Sequence, residues 1–191
     1  MPRGQDEVRY QTAKTLLGEK RYEEAFEAYR VLANAGDPQC QVFLGWMHHE
    51  GVGTARNVDE ARTWFEKAAK LGSKEGAFFC GRAAASLGRH GEAVSWFRKA
   101  ASQDYGPALL WLGLAHLRGH GVEQDLPKAV AFLERSAKTG NYLAQRELAL
   151  LMIRGGLGIA SIPLGMVLLP YAVLRGVASA IWKGDSDKLI G

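Results

Sequence analysis

The amino-acid sequence predicts an all-α fold, a right-handed α/α superhelical solenoid of helix-pair repeats that ends in an apolar C-terminal tail. The first observation behind this prediction is a set of residues that returns 68 positions later, from Leu44-Gly45 to Leu112-Gly113 and from Trp64-Phe65 to Phe132-Leu133. The second is a helical periodicity inside each repeat. Self-similarity at a fixed period is typical of stacked repeats, in which each unit buries its apolar face only against its neighbours.

An alanine marks the second helix of each repeat, at Ala25, Ala61, Ala93 and Ala129, so the steps are 36, 32 and 36 residues. An aromatic residue or a leucine follows four positions later, and a small residue follows after eight. Positions i, i+4 and i+8 share one helix face, and small residues on it let a neighbouring helix approach closely. The first half of each repeat is also helical, with its periodicity centred on the leucine of the Leu-Gly pair. The repeat is therefore a pair of helices.

Two kinds of connection join the helices within a pair. The second and fourth pairs have long glycine loops, 51–57 and 119–125, because glycine permits the positive φ that ends a helix. Asn57 and Asp125 are expected to cap the helices that follow, and Glu60 is placed to complete a capping box with Asn57. The first and third pairs have tight turns. The sequence therefore predicts loops that alternate between long and short.

At these positions the chain resembles a known family, the Sel-one-like repeats, a branch of the tetratricopeptide-type α/α solenoids. The resemblance covers residues 8–154. The matching positions are Ala61, Trp64-Phe65, Lys67-Ala68-Ala69 and Gly72, then Gly119-His120-Gly121-Val122, Asp125, Lys128-Ala129 and Gly140. Two departures are that His48 and His116 occupy a tyrosine position, and that the first and third pairs look like ordinary tetratricopeptide repeats. Members of this family commonly act as scaffolds for signalling or envelope-associated complexes.

Composition places the chain among globular proteins and gives no sign of a nucleic-acid partner. Of 191 residues, 47% are hydrophobic and 23% are charged, which is enough to bury a core. The 24 basic and 20 acidic side chains leave a net charge of +4 and are interspersed, without the lysine or arginine run of a nucleic-acid footprint. Cys40 and Cys80 are expected to be buried, reduced thiols.

No group of residues in the sequence has the pattern of a catalytic, metal or cofactor site. His48-His49-Glu50 has no third ligand at metal spacing, since adjacent helical residues point about 100° apart. The glycine loop 51–53 follows a helix and lacks the lysine of a phosphate-binding loop. We therefore expect a protein that is not an enzyme and that binds no metal or cofactor.

A candidate binding face lies on the first helices. In the family pattern, the residues just before and just after the Leu-Gly pair are variable. They are three apart, so they share one stripe of the first helix. In the third repeat the pair is Cys80-Gly81. The variable positions hold Phe43, Trp46, Phe79, Arg82, Trp111 and Leu114. Stacked along the solenoid, these residues would form an apolar ladder rich in the residue types that dominate interface energetics. The alternative is that they pack between repeats.

The C-terminal segment carries 20 residues without a charge, from Gly155 to Leu174. Pro163 and Pro170 are expected to break it into short helices, and basic residues flank it on both sides, which argues against a single membrane crossing. A hairpin or a surface-lying anchor agrees better with this pattern. The expected membrane contacts are Leu157, Ile159, Ile162, Leu164, Leu168, Leu169, Tyr171, Leu174, Arg175 and Trp182. The alternative is a helix that caps the last repeat.

These observations divide the chain into a repeat solenoid over residues 1–154 and an apolar, membrane-associating or partner-associating tail over 155–191. The expected function is a non-enzymatic scaffold or adaptor that holds another protein on its concave face. The tail would seat it, as a peripheral or monotopic protein, at the cytoplasmic face of the inner or plasma membrane. The N-terminus lacks the apolar stretch of a secretory signal, which agrees with this location. The alternative function is an accessory subunit packed against an integral-membrane enzyme or transporter.

Overall fold

The computed structural model describes residues 3–154, 157 and 162–188, and the described residues form helices and turns without a strand. The helices are α1 (Arg3–Gly18), α2 (Tyr22–Asn34), α3 (Pro38–Glu50), α4 (Val58–Lys70), α5 (Lys74–Ser86), α6 (His90–Ala101), α7 (Gly106–Arg118), α8 (Leu126–Lys138), α9 (Tyr142–Ile153) and α10 (Ile162–Lys188). Helices α1 and α2, α3 and α4, α7 and α8, and α9 and α10 pack as pairs, and between pairs α2 packs on α3, α6 on α7 and α8 on α9. The predicted all-α repeat fold is confirmed.

The chain divides into two compact units, one that reaches Ala83 and one that begins at Ala84. In the first unit the second helices contribute Tyr29 and Trp64 to a core that also contains Leu44 and Met47 of α3. In the second unit a cluster of Leu110, Leu133, Ala144 and Leu148 joins α7, α8 and α9. Each unit is therefore held together by contacts between neighbouring helices. The division predicted from the sequence, at residue 154, separates the repeats from the apolar tail, and it stays a prediction.

The helices of a pair approach closely where the sequence places glycine. A Cβ atom added to Gly45 would lie 2.7 Å from the Phe65 ring and 3.1 Å from the Ala61 carbonyl oxygen of α4. One added to Gly113 would lie 2.8 Å from the Leu133 side chain of α8. Because protein interiors are close-packed, a larger residue at these positions must push the pair apart.

The long loops begin and end as the sequence predicts. Gly51 ends α3 in the left-handed conformation, and its N–H donates to the Met47 carbonyl. The Asn57 side chain accepts a hydrogen bond from the Glu60 N–H at 3.0 Å. The capping box is only half formed, because the N–H of Asn57 donates to the His48 carbonyl at 2.8 Å and closes the loop there. The fourth pair repeats this arrangement with Asp125.

The second glycine of each long loop rests on the start of the second helix of the preceding pair. Gly53 has φ of +67°, and a Cβ atom there would overlap the Tyr22 carbonyl. Gly121 has φ of +74° and meets the backbone of His90 in the same way, 68 residues later. Only glycine permits both the positive φ and this close approach. Each loop therefore links its own pair to the preceding pair.

The tail differs from the expectation, because α10 is one continuous helix that packs against α9 and completes a fifth pair. Pro163 is the second residue of α10, where a missing N–H removes no helical hydrogen bond. Pro170 lies inside the helix on an exposed side, and the helix continues through it. Gly165 replaces the usual alanine, and a Cβ atom there would lie 2.7 Å from the Ala149 carbonyl oxygen of α9. None of the helices among the described residues has the length and hydropathy that a membrane crossing needs.

We expect Gly53→Ala to destabilise the first unit more than Gly72→Ala. Both glycines have positive φ, which costs an alanine about 1 to 2 kcal/mol. A Cβ atom at Gly72 meets nothing within 4 Å, whereas one at Gly53 overlaps Tyr22 and adds an overpacking cost of about 1 to 3 kcal/mol. Urea unfolding of the two variants measures the difference. Equal losses of stability would contradict the contact between loop and helix.

Candidate protein-binding face

The six residues of the predicted ladder lie on the first helices but contribute to packing as well as to the surface. In the first unit Phe43, Trp46 and Phe79 are half-buried and Arg82 is exposed. In the second unit Trp111 is 38% exposed and Leu114 is half-buried.

Three of the four aromatic residues of the ladder stack on the aromatic residue of the preceding second helix, and the fourth, Trp46, packs edge-on against Phe43. Phe43 lies parallel to Tyr29 with ring centroids 5.0 Å apart. Phe79 stacks on Phe65 at 4.8 Å, and Trp111 stacks on Phe97 at 5.6 Å. In every case the partners are 14 residues apart in the sequence. The sequence left open the alternative that these residues pack between repeats. One side of each stacked ring does pack in this way, and the other side does not.

The first unit extends this face with a residue that the sequence analysis missed. Tyr10 of α1 stands 36 positions before Trp46, packs edge-on against Tyr29 at 6.2 Å, and accepts a hydrogen bond from Gln39 Nε2 at 3.0 Å. The 36-residue step between repeats was the sequence signal that could have identified Tyr10. A hollow of about 500 Å³ lies beside Tyr10, between α1 and the turn from α2 to α3. Its lining residues are Glu7, Tyr10, Leu32, Ala35, Gly36, Asp37, Pro38, Gln39 and Cys40.

The Cys40 thiol beside this hollow and the nearby Tyr29 phenol are held in their neutral forms by burial. Burial raises the pKa of the Cys40 thiol, and the nearby Asp37 carboxylate acts in the same direction, so the thiol stays protonated. Burial also raises the pKa of Tyr29 to about 12. Cys40 and Cys80 are both buried, as predicted.

His48 and His116 fill the tyrosine position as packing residues. The His48 ring meets Phe26 edge-on at 5.2 Å, and the buried His116 ring stacks on Phe132 at 5.6 Å. The Nδ1 atoms of both histidines have no hydrogen-bond partner. His49 Nδ1 instead lies 2.9 Å from Glu50, so the adjacent histidines have separate environments. Among the described residues no three His, Cys, Asp or Glu side chains are grouped as metal ligands would be.

The expected membrane contacts of the tail fall into three groups. Leu164, Tyr171, Leu174 and Arg175 are exposed on α10. The half-buried group is Leu157, Leu168 and Leu169. Of these, Leu168 and Leu169 lie on the side of α10 that is turned towards α9. Ile159 lies outside the described residues, as do the side chains of Ile162 and Trp182. Val167, which the sequence analysis omitted, is 70% exposed between Leu164 and Tyr171.

Stacked helix pairs with close glycine contacts and a half-exposed aromatic face define a helical-repeat protein. The family profile of the Sel1 repeat matches residues 38–73, 90–105 and 106–141. These segments are Sel1 repeats, which confirms the resemblance drawn from the sequence. Sel1 repeats form a protein-interaction scaffold.

Comparison with known proteins gives matches to parts of longer chains. An uncharacterized protein of Neisseria meningitidis serogroup B is 30% identical over 131 residues, which are 65% of this chain and 26% of that protein. The chitin synthase regulator SKT5 of Saccharomyces cerevisiae is 45% identical over 51 residues, which are 27% of this chain and 7% of that protein. The chain thus spans about a quarter or less of these relatives. A crystal structure of a Sel1 repeat protein from Oxalobacter formigenes superposes with a TM-score of 0.70 at 26% identity, over 78% of this chain and 61% of that one.

We expect mild acid to weaken the fold through His48. Burial lowers the pKa of its imidazole, while the Glu60 carboxylate opposes this shift. The unfolded chain, with a histidine pKa of about 6.5, therefore binds the proton first, and the stability contribution is lost as pH falls below that value. His48→Tyr, which restores the family residue, should reduce the dependence of urea unfolding on pH between about 7 and 5. An unchanged pH dependence in His48→Tyr would contradict this role of His48.

Proposed function

We propose that this chain is a non-enzymatic adaptor that holds another protein on the face lined by the first helices of its pairs. The observation that carries the proposal is the set of aromatic rings that stack on the preceding pair with one side and reach the surface with the other. Rings fixed in this way lose little conformational freedom when a partner covers them, and aromatic residues and arginine are enriched at binding hot spots. Arg82 supplies a charged, exposed group on the same face of the first unit.

The adaptor would be seated at the cytoplasmic face of the inner or plasma membrane by its C-terminal segment. Helix α10 supports this part of the proposal with an unusual exposed apolar surface. Among the side chains of α10 that the structure describes, six large hydrophobic ones are exposed, between Leu164 and Leu174. Contiguous apolar surface of this kind marks an interaction site with another protein or a membrane.

An accessory role for an integral-membrane enzyme or transporter is the second candidate, for example in the assembly of an envelope or a polysaccharide. The observation that favours it is the similarity of a 51-residue segment to a protein named as a chitin synthase regulator. In that case α10 would pack against the membrane protein instead of lipid. The two candidates share the protein-binding face and differ in what covers α10.

Affinity purification in mild detergent, with captured proteins identified by mass spectrometry, tests the binding face. Arg82→Ala and Trp111→Ala should each reduce recovery of the captured protein by at least about tenfold, as truncation of a hot spot does. The control is Lys70→Ala, which removes an exposed cation from the second helix α4 and should leave capture unchanged.

Thermal unfolding of the same variants separates binding from packing. Arg82→Ala should melt like the unchanged protein, whereas Trp111→Ala should lose stability as well, because it gives up its stack on Phe97. Undiminished capture by both variants would disprove the proposed face.

Cell fractionation tests the membrane location. The full chain should sediment with membranes and leave them in detergent. Recovery in the soluble fraction under all salt conditions would contradict both the anchor and the accessory-subunit candidates.

A further inference from the structure

Helix α10 is the second helix of a fifth repeat, in the same register as the four before it. Helix α8 begins with Leu126-Pro127, and α10 begins 36 residues later with Ile162-Pro163. Gly165 then corresponds to Ala129, the alanine that marks each second helix. Ala172, the equivalent of the buried Ser136, is also buried. Each position of α10 can therefore be compared with its equivalents in α2, α4, α6 and α8.

Four positions on every second helix face away from the rest of the fold. They lie one before and two, six and nine after the marker alanine, which places them on one side of the helix. In α2, α4, α6 and α8 all of these residues are exposed. They are Glu24, Glu27, Val31, Asn34, Glu60, Thr63, Lys67, Lys70, Glu92, Ser95, Lys99, Ser102, Lys128, Ala131, Arg135 and Lys138. Apart from Val31 and Ala131 they are polar, as expected for side chains in water.

In α10 the same four positions are all apolar or aromatic. They hold Leu164, Val167, Tyr171 and Leu174, which we call the outer stripe. All four are exposed, and Val167 and Leu174 are 70% and 67% exposed. The spacing of three, four and three residues puts them on one side of the helix, over about 15 Å of its length.

The outer stripe is separate from the surfaces that the fold already uses. Gly165 and Gly176 make the contacts with α9, where a Cβ atom on Gly176 would lie 2.8 Å from the Tyr142 ring. The residues that would stack on a following helix are Met166 and Val173, equivalent to Val130 and Ala137 of α8. Because the outer positions of α2, α4, α6 and α8 stay in water, the packing of a further repeat does not account for the stripe.

The sequence around the stripe carries charges of one sign. Between Glu147 and Asp185 the sequence has no acidic residue, while Arg154, Arg175 and Lys183 fall within the interval. Arg175 is exposed beside the stripe, and its guanidinium lies 5.9 Å from the centre of the Tyr171 ring. An apolar stripe with an adjacent cation complements a surface in which anionic groups cover an apolar layer.

We infer that the outer stripe binds the surface of an anionic lipid bilayer, with α10 lying flat on the membrane. Leu164, Val167 and Leu174 enter the boundary between headgroups and acyl chains, while Tyr171 and Arg175 lie at the level of the phosphates. Four side chains give a modest apolar contribution, so the attraction of the basic residues for anionic lipid is needed as well. This inference rests on the proposed membrane location and specifies the face and the lipid charge.

A second copy of the chain fits the stripe less well. A symmetric contact uses the same patch on both copies, so it would bring two acid-free, basic surfaces together. Like charges at a contact oppose association unless acidic groups neutralise them. Anionic headgroups supply that neutralisation, and for this reason the charges favour lipid.

Vesicle sedimentation of the full-length protein, expressed alone, tests the inference. One set of vesicles is pure phosphatidylcholine and the other has equal parts of phosphatidylcholine and phosphatidylglycerol. The protein should bind the anionic vesicles, leave the neutral ones largely unbound, and bind more weakly as salt concentration rises.

Point variants assign the binding to the stripe. The double variant Val167→Gln with Leu174→Gln should bind anionic vesicles at least about tenfold more weakly, because it removes two apolar contacts. The matched control is Val31→Gln with Leu71→Gln, two exposed apolar residues elsewhere in the repeats, which should bind normally. Arg175→Gln should reduce the preference for anionic over neutral vesicles. All variants should melt at the same temperature, since the altered residues are exposed.

The outcomes separate this inference from the proposed function. Equal binding to both kinds of vesicle, or normal binding by the Val167→Gln and Leu174→Gln variant, overturns the inference. So does a dimer that binds no vesicles and that the same variant converts to a monomer. If the protein sediments with cell membranes but with neither vesicle, the inference fails and seating by a membrane protein stands. If it binds neither cell membranes nor vesicles, both fail.

Discussion

The fold depends on a close approach inside the second, fourth and fifth helix pairs, where the first and second helices meet through a small residue. In the second and fourth pairs the glycine belongs to the first helix, as Gly45 and Gly113, and it lies against the backbone or side chains of the second helix. In the fifth pair the glycine has moved to the second helix, as Gly165, and lies against the Ala149 carbonyl. Close packing leaves room at this point for a side chain on only one of the two helices. The glycine can therefore lie on either helix of the pair.

A second contact, between pairs, places an aromatic ring of a first helix over the ring that lies 14 residues earlier in the preceding second helix. The stacks of Phe43 on Tyr29 and of Trp111 on Phe97 are of this kind, and they give the aromatic residues two functions. One side of each ring stabilises the contact between repeats, and the other side is available to a partner. A surface made of such rings is rigid, which lowers the entropic cost of binding.

Helix α10 keeps the packing face of a second helix and changes only the face that is free to vary. The positions that meet α9 remain small, as at Gly165 and Ala172, because the close approach requires it. The outward positions carry no packing constraint, since their equivalents in α2, α4, α6 and α8 lie in water. A repeat can therefore acquire an apolar outer stripe without losing its place in the fold, and one helix then serves both as a packed part of the fold and as its proposed membrane contact.

The sequence by itself determined the helix pairs, the alternation of loops through the fourth pair and the caps at Asn57 and Asp125, because these depend on local periodicity and on residues close in the chain. It did not determine the role of the aromatic ladder, since the rotation of a helix about its axis depends on what its neighbours bury. It gave the packing of the tail on the last repeat only as an alternative, because Pro163 and Pro170 suggested a break and the marker alanine is replaced by Gly165. Only the tertiary structure showed that α10 packs on α9 and thereby which apolar residues of α10 are buried and which face outwards.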